Sequence, residues 1–216
     1  MSYEEAVKRL IFDPLKMKNS GYDFASLKSR NKTIGYDYLS PSRFVTVKTW
    51  DYSWTYASGG LYSCVDDLHK FYAGLKNNKI ISAQSLAQSY TSIKGDYGFG
   101  WFIDSLYGKR IGYHSGNLDG ATSYFGRIPG DDICIIMLNN QTSTTIESIA
   151  SKIIAILNDK PYTLPKPKLE ITVPKEILQQ YVGKYDISDT SVQISGSKLY
   201  LTGSNTYPHK NICRNQ

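Results

Sequence analysis

Apolar residues recur along this chain first at helical spacing and later at strand spacing. Ala6, Val7, Leu10 and Ile11 fall on one side of a helix, and Ser2 with Glu5 forms a capping box that opens it. Asp13-Pro14-Leu15 is expected to stop that helix near Ile11, because a proline pushes the residue before it out of the helical region. A chain that opens directly into a capped helix is expected to begin mid-domain. Residues 16–54 show little periodicity and predict a long surface excursion, with short strands at 33–38 and 44–49. Helical spacing returns at Val65, Leu68, Phe71, Tyr72 and Leu75, behind a second expected capping box, Ser63-Cys64-Val65-Asp66. This helix is expected to end near Lys76, and Ser82 caps a shorter one through about Tyr90.

Strand signals then take over. Residues 97–103 read as a strand with glycines at alternate positions, which predicts something packed closely over the glycine face. Further strands are expected at 109–113, 121–128 and 133–138, with a turn at Pro129-Gly130-Asp131-Asp132. The last of them is continuously apolar and predicts a central strand covered on both faces. Thr144 with Glu147 caps a final helix to about Leu157, whose apolar stripe is Ile146, Ile149, Ala150, Ile153 and Leu157. The pattern is α/β of the α+β type: an antiparallel sheet flanked by helices over residues 1–158. Pro161, Pro165, Pro167 and Pro174 mark a linker over 159–175. Residues 176–216 begin a small β-unit, with strands at 178–185 and 191–201 and a turn at Ser195-Gly196-Ser197-Lys198. A β-unit this short has too little core to be stable alone, so the chain is expected to be cut at this end as well.

Composition narrows the partners. Apolar residues at 41% and charged residues at 20% are ordinary for a globular protein. The net charge of +6 comes from scattered basic residues, which reads as a solvated surface and not as a nucleic-acid footprint. Cys64, Cys134 and Cys213 are odd in number and lack C-x-x-C spacing, so neither a disulfide framework nor a zinc knuckle is indicated, and Cys134 is expected in the core. His69, His114 and His209 are far apart, with no metal-ligand spacing and no cofactor motif nearby. His69 is expected to be an exposed helical residue. Acids stand where a signal peptide's basic region would be, and no run is long enough to span a bilayer.

The chemistry concentrates in Tyr113-His114-Ser115-Gly116-Asn117-Leu118-Asp119-Gly120. Ser115-Gly116 lets another molecule approach the backbone, while His114 and Ser115 bring a titratable base and a hydroxyl. Two readings stand: a substrate-facing strand of a hydrolase, or a strand end where His114 is merely hydrogen-bonded. A local Ser-His-Asp triad is not expected, because neighbours on a strand point to opposite faces and Asp119 lies past the turn. Tyr97, Phe99 and Trp101 are expected to be aromatic core sooner than pocket lining.

Several stretches together resemble the serine β-lactamase and penicillin-binding-protein superfamily, in its class C-like branch of D-aminopeptidases, carboxypeptidases and esterases. They are Tyr3-Glu4-Glu5 and Phe12-Asp13-Pro14-Leu15-Lys16-Met17-Lys18-Asn19-Ser20, then Ala57-Ser58-Gly59-Gly60-Leu61-Tyr62-Ser63 with Asp66-Asp67-Leu68. Tyr97-Gly98-Phe99-Gly100-Trp101, His114-Ser115-Gly116-Asn117 with Gly120, and Leu138-Asn139-Asn140 follow in the family's order, covering residues 2–157. Tyr181-Val182-Gly183-Lys184-Tyr185 resembles the opening of the small β-barrel domain that often follows. The resemblance implies a β-lactamase/transpeptidase-like fold, incomplete in this chain. It implies acyl transfer through S-x-x-K, Y-x-N and K-T-G elements. His114-Ser115-Gly116 would be the K-T-G equivalent, with Ser115 contacting substrate, Gly116 leaving room for it, and the Asn117 N–H forming half of the oxyanion hole. His114 would stand where a lysine often sits, so its charge would depend on pH. Gly98, Gly100 and Gly120 would border the substrate.

The other two elements are not convincingly present. Ser29-Arg30-Asn31-Lys32 and Ser195-Gly196-Ser197-Lys198 fit S-x-x-K as strings, but in a polar excursion and a hairpin turn, where the family's serine opens a buried helix. No Y-x-N occurs. The chain is therefore expected to be the C-terminal portion of such a hydrolase, inactive without the missing N-terminal portion of the same fold. Its expected substrates are small molecules or peptides: a β-lactam, a cell-wall peptide or an ester. The resemblance implies a bacterial cell-envelope or extracellular location. Two competing readings are a non-catalytic peptide- or glycan-binding module, and a truncated product with no selected role.

Overall fold

The computed structural model describes residues 1–39, 44–48, 51–142, 145–164, 173–185, 190–195 and 198–202. The chain divides into two compact units, Met1–Tyr162 and Thr163–Gln216.

The first unit opens with α1 (Tyr3–Val7). Its capping box is formed: the Glu5 N–H donates to Ser2 Oγ at 3.2 Å and the Ser2 N–H donates to the Glu5 carboxylate at 2.7 Å. The helix does not stop near Ile11. It widens into a π-helical stretch over Lys8–Phe12 and runs on as α2 (Asp13–Leu15). Pro14 falls at the start of α2 within this continuing helical stretch. Lys16, left-handed at φ 56°, ends it.

Helix α3 (Val65–Lys76) forms where its periodicity predicts. The second capping box does not: Cys64 is the N-cap, and Ser63 turns away to share a 2.8 Å hydrogen bond with Ser20. The reason lies at Asp67, which is fully buried. Its carboxylate accepts from the Asn19 N–H at 2.7 Å, the Ser20 hydroxyl at 2.9 Å and Lys70 at 2.6 Å. Lys70 also donates to the Lys16 carbonyl at 3.0 Å. Nearby, Leu15 packs so closely on Gly74 that an added Cβ would meet it at 2.4 Å. These contacts bind the opening helical stretch to α3. Helix α4 (Ala83–Ser89) follows, capped by Ser82 as expected.

Between α2 and α3 the excursion carries a hairpin, β1 (Tyr36–Leu39) with β2 (Phe44–Thr46), shorter than the two strands predicted. The main sheet is an antiparallel meander, β3 (Phe102–Leu106), β4 (Lys109–Leu118), β5 (Ala121–Ile128) and β6 (Ile133–Asn139), in that spatial order. One face packs Ile111, Tyr124, Ile128 and Ile135 on α5 (Ile146–Leu157). On the other face Leu75, Tyr90 and Trp101 form a second core with Phe71 and Phe125. Tyr90 covers Gly112, where a Cβ would lie 2.1 Å from the ring, and its hydroxyl accepts from buried Arg127 at 3.0 Å. Tyr72 donates to Asp132, and burial together with that bond pushes its hydroxyl up to about 12.

Four expectations need correction. Residues 97–101 form a turn in which the Gly98 N–H donates to the Trp101 carbonyl at 2.8 Å, so only Phe102 and Ile103 of the predicted strand are extended. Strand β6 lies at the edge of the sheet among the described residues, not at its centre. In α5, Ile146 and Ala150 are buried as expected, but Ile154 completes the stripe, while Ile149 and Leu157 stay 40% and 49% exposed. The predicted cap at Thr144 lies outside the described residues. Cys134 is half-buried, and burial pushes its thiol up to about 11, an unreactive form at neutral pH.

In the second unit, α6 (Lys175–Gln179) precedes an antiparallel sheet of β7 (Gly183–Tyr185), β8 (Thr190–Ser195) and β9 (Lys198–Thr202). The strand expected from Leu178 is thus a helix followed by a shorter strand. Leu178 and Val192 are buried against Val173 and Ile194.

Asp67 anchors a stability prediction. Burial raises its carboxyl, but the bonds from Lys70, Asn19 and Ser20 outweigh it and hold the group below the ordinary carboxylate value. A depressed folded value means that the contribution is present above the unfolded value, near pH 4, and lost as pH falls through the folded one. Asp67→Ala is expected to cost about 3 kcal/mol at neutral pH. Urea melts at pH 7 and pH 3 check this: the variant's deficit shrinks in acid.

Candidate active site

The site follows from a mismatch in strand length. Strand β4 has 10 residues and β3 has 5. Pairing between them ends at Phe102 with Tyr113. Beyond that point, residues 114–118 pair with β5 on one side only, and their other edge has no strand partner among the described residues. His114-Ser115-Gly116-Asn117 is therefore neither a strand end nor a turn, but the free-edged half of a long strand. Small residues are tolerated there because β5 supplies the pairing: Ser115 with Tyr124, Gly116 with Ser123, Asn117 with Thr122.

Alternation sorts the side chains. Ser115 and Asn117 lie on the face of Tyr113, and His114 and Gly116 on the opposite face. The expected divergence of His114 and Ser115 is observed, and no local triad forms. His114, Gly116 and Asn117 are exposed, and Ser115 is half-buried. His114 is held by two contacts: Nδ1 lies 2.7 Å from the Ser115 carbonyl oxygen and Nε2 lies 3.1 Å from the Tyr97 hydroxyl.

The glycines divide. At Gly116 an added Cβ would meet only the Ser123 hydroxyl closely, at 2.6 Å. Gly120 is buried and left-handed at φ 73°, with a would-be Cβ 2.3 Å from Val47 and 2.8 Å from the Gly35 backbone. Its N–H donates to Thr142 Oγ1 at 2.7 Å. The β4–β5 turn is thereby pinned to the segment before β1. That segment is itself tied down by the Tyr36 N–H to the Asn140 carbonyl at 2.8 Å and by Asn140 Nδ2 to the Ile34 carbonyl at 2.9 Å. Gly98 has Ser89 O 2.3 Å from its would-be Cβ. Gly98 and Gly120 thus make room for the chain's own packing. Gly100, left-handed at φ 79°, has open space around it.

In the first S-x-x-K string the serine and the lysine are bonded elsewhere. Ser29 Oγ accepts from the Asn31 N–H at 3.2 Å in an exposed turn. Lys32 donates instead to the Ala25 carbonyl at 2.8 Å and lies over the Phe24 ring at 4.7 Å. Gly196 and Ser197 of the second string lie outside the described residues. No cluster of three metal-ligating side chains occurs among the described residues, and no described helix is long and apolar enough to cross a membrane. An open groove between α3 and β6, lined by Val65, Asp66, His69, Lys70, Cys134 and Ile136, contains no residue of β4. Two important residues escaped the sequence reading of the site, Asp67 as an anchor and Tyr97 as the partner of His114. Both act across long separations that leave no local signal.

The family model described as Beta-lactamase matches residues 1–157. The chain belongs to the beta-lactamase family. The α+β architecture expected from the resemblance is the one observed. The putative penicillin-binding protein PbpX of Bacillus subtilis is 26% identical over 163 residues, 73% of this chain and 40% of that protein. Beta-lactamase-like protein 1 of Dictyostelium discoideum is 36% identical over 80 residues, 37% of this chain and 13% of that protein. Among solved structures, the octameric penicillin-binding protein homologue from Pyrococcus abyssi superposes with a TM-score of 0.62 at 27% identity, covering 97% of this chain and 50% of that one. The D-amino acid amidase from Ochrobactrum anthropi, complexed with D-phenylalanine, gives 0.60 at 19% identity over 73% of this chain and 53% of its own. That similarity concerns the fold alone. The chain spans half or less of the curated family relatives and about half of the solved ones.

Two glycine substitutions should separate packing from access. Gly120→Ala is expected to lose about 1–3 kcal/mol, since both its φ and its neighbours oppose a side chain. Gly116→Ala should fold with little loss, because the Ser123 hydroxyl can turn away. Thermal denaturation of both variants tests the contrast.

Proposed function

We propose that this chain is the substrate-contacting C-terminal portion of a beta-lactamase-like serine hydrolase. It performs acyl transfer only together with the portion of the fold that carries an S-x-x-K serine and a Y-x-N tyrosine. The observation that supports this reading is the free edge at 114–118, which places H-S-G on exposed backbone where an extended substrate can lie as an added strand. In this reading Ser115 Oγ hydrogen-bonds the substrate and Gly116 keeps the approach open. The serine of the N-terminal portion attacks the carbonyl, and its proton passes to a neighbouring base. The oxyanion receives the Asn117 N–H, and collapse expels the amine or alkoxide to leave an acyl-enzyme that water then hydrolyses. By the family resemblance His114 stands where a lysine often sits. In this reading the substrates are cell-wall peptides, β-lactams or esters, and the location that the resemblance implies is the cell envelope or the extracellular space.

A second reading, a non-catalytic peptide- or glycan-binding module, draws on the same free edge and on Lys32 being committed away from Ser29. One experiment separates them. The chain alone should show no serine labelled by a fluorophosphonate probe; an adduct on any of its serines would overturn the proposal. Adding the S-x-x-K portion should restore hydrolysis, and Ser115→Ala should then lower kcat/KM about tenfold, the worth of one hydrogen bond. Saturable peptide binding without turnover in the assembled protein would favour the binding module.

A further inference from the structure

Tyr97 lies outside the S-x-x-K, Y-x-N and K-T-G patterns, yet it is the side chain that meets the histidine of H-S-G. Its hydroxyl is 3.1 Å from His114 Nε2, across 17 residues of sequence. Its own position is fixed by backbone. The Tyr97 N–H donates to the Lys94 carbonyl at 3.2 Å, and its carbonyl accepts from the Ile93 N–H at 2.9 Å. The next residue, Gly98, is sealed against the Ser89 carbonyl. The Tyr97 ring stands edge-on to Phe102 with centroids 4.8 Å apart, and Phe102 lies 5.3 Å from the His114 ring. The tyrosine is therefore a rigid reference point, while the imidazole beside it is exposed.

The two contacts of His114 have different chemistry. The Ser115 oxygen is a carbonyl and can only accept, so Nδ1 must carry a hydrogen to bond it. Nε2 of the neutral ring is then an acceptor, and the Tyr97 hydroxyl donates to it. When the ring is protonated, Nε2–H donates to the same phenol oxygen, whose own hydrogen rotates toward solvent. Among the described residues no charged side chain is bonded to either nitrogen. The Ser115 contact is to the adjacent residue on an exposed strand, where water competes with it. The acceptor-only Ser115 carbonyl sets the tautomer, while the Tyr97 hydroxyl, able to donate or accept, is the contact that holds Nε2 from outside the strand.

We infer that Tyr97 is the positioning residue of this site: it holds in place the His114 imidazole, whose Nδ1–H tautomer is set by the Ser115 carbonyl, and keeps Nε2 paired in both charge states. Resting on the acyl-transfer reading, this means that a proton taken up by His114 is held at Nε2, between imidazole and phenol, and not released at the strand edge.

Long-range proton–nitrogen spectra of the nitrogen-15-labelled full chain test this without any activity. Wild type should show His114 with the Nδ1–H pattern. Tyr97→Phe keeps the ring and its packing on Phe102, and should shift the His114 Nε2 resonance by removing its hydrogen-bond partner, while the Nδ1–H pattern set by Ser115 persists. His69, exposed on α3 and beside Tyr72, should not move and serves as the control. A wild-type His114 already in the Nε2–H form overturns the inference, whether or not the variant folds. So does a variant whose His114 Nε2 resonance is unchanged. In the protein assembled with its S-x-x-K portion, Tyr97→Phe should lower kcat about tenfold with KM little changed. Absence of hydrolysis by the wild-type assembly would count against the acyl-transfer reading alone, because the spectra decide the pairing by themselves.

Discussion

A single buried carboxylate decides how the first unit is put together. Asp67 has no exposure to water and must find its donors inside the protein, since an unpaired buried charge would cost far more than any bond it makes. It finds them on two sides: Lys70 on its own helix, and the Asn19 N–H and Ser20 hydroxyl from the end of the opening segment. Lys70 then reaches the Lys16 carbonyl, and Leu15 fills the space left by Gly74. Two stretches far apart in sequence become one surface, and α3 can lie on the sheet with its other side already occupied. Phe71 and Leu75 supply the contact with Phe125, Tyr90 and Trp101.

Given that scaffold, the site is a consequence of lengths. A 10-residue strand against a 5-residue neighbour leaves half its edge open. Exposed edges are usually blunted, because unpaired backbone groups invite association. Here the open half carries small and polar residues, and its far end is clamped by the meeting of Gly120 with Gly35 and Val47. Rigidity at the turn and openness at the edge are what the proposed acyl-transfer role would need, since donors must be in place before charge develops.

Much of this was legible in the sequence where the signal is local. The helix at Val65–Lys76 and the strand at Ala121–Ile128 fall where period and caps predict. The failures share a cause. The strand pattern predicts β4 over 109–113 and leaves 114–117 either substrate-facing strand or strand end; pairing with β5, which is not written in β4 itself, carries it to Leu118. The apolar run of β6 predicts a central strand, but an apolar run reports covered faces and says nothing about covered edges. Helices α3 and α5 cover the faces while the edge stays open among the described residues. The glycines of 97–101 implied a close neighbour, and there is one for Gly98, but it is the Ser89 carbonyl. Of the site residues named from motifs, His114-Ser115-Gly116-Asn117 lie on β4, while Gly98, Gly100 and Gly120 lie in turns outside it. Those that act through space, Asp67 and Tyr97, could not be read from spacing at all.

The histidine of H-S-G makes a demand that a lysine in the same place would not. An ammonium donates in every direction and tolerates a crowd of acceptors. A neutral imidazole needs one acceptor and one donor, at fixed positions in the ring plane, and it keeps a single tautomer only if both are supplied. Replacing lysine by histidine in this position therefore requires a second residue able to donate when the ring is neutral and to accept when it is charged. A hydroxyl does both, and the chain provides it from Tyr97, on a turn whose backbone is fixed by Lys94, Trp101 and Ser89. The aromatic-glycine run before β3 and the H-S-G on β4 are thus one device. The glycines let the turn close, and the closed turn delivers the tyrosine to the histidine.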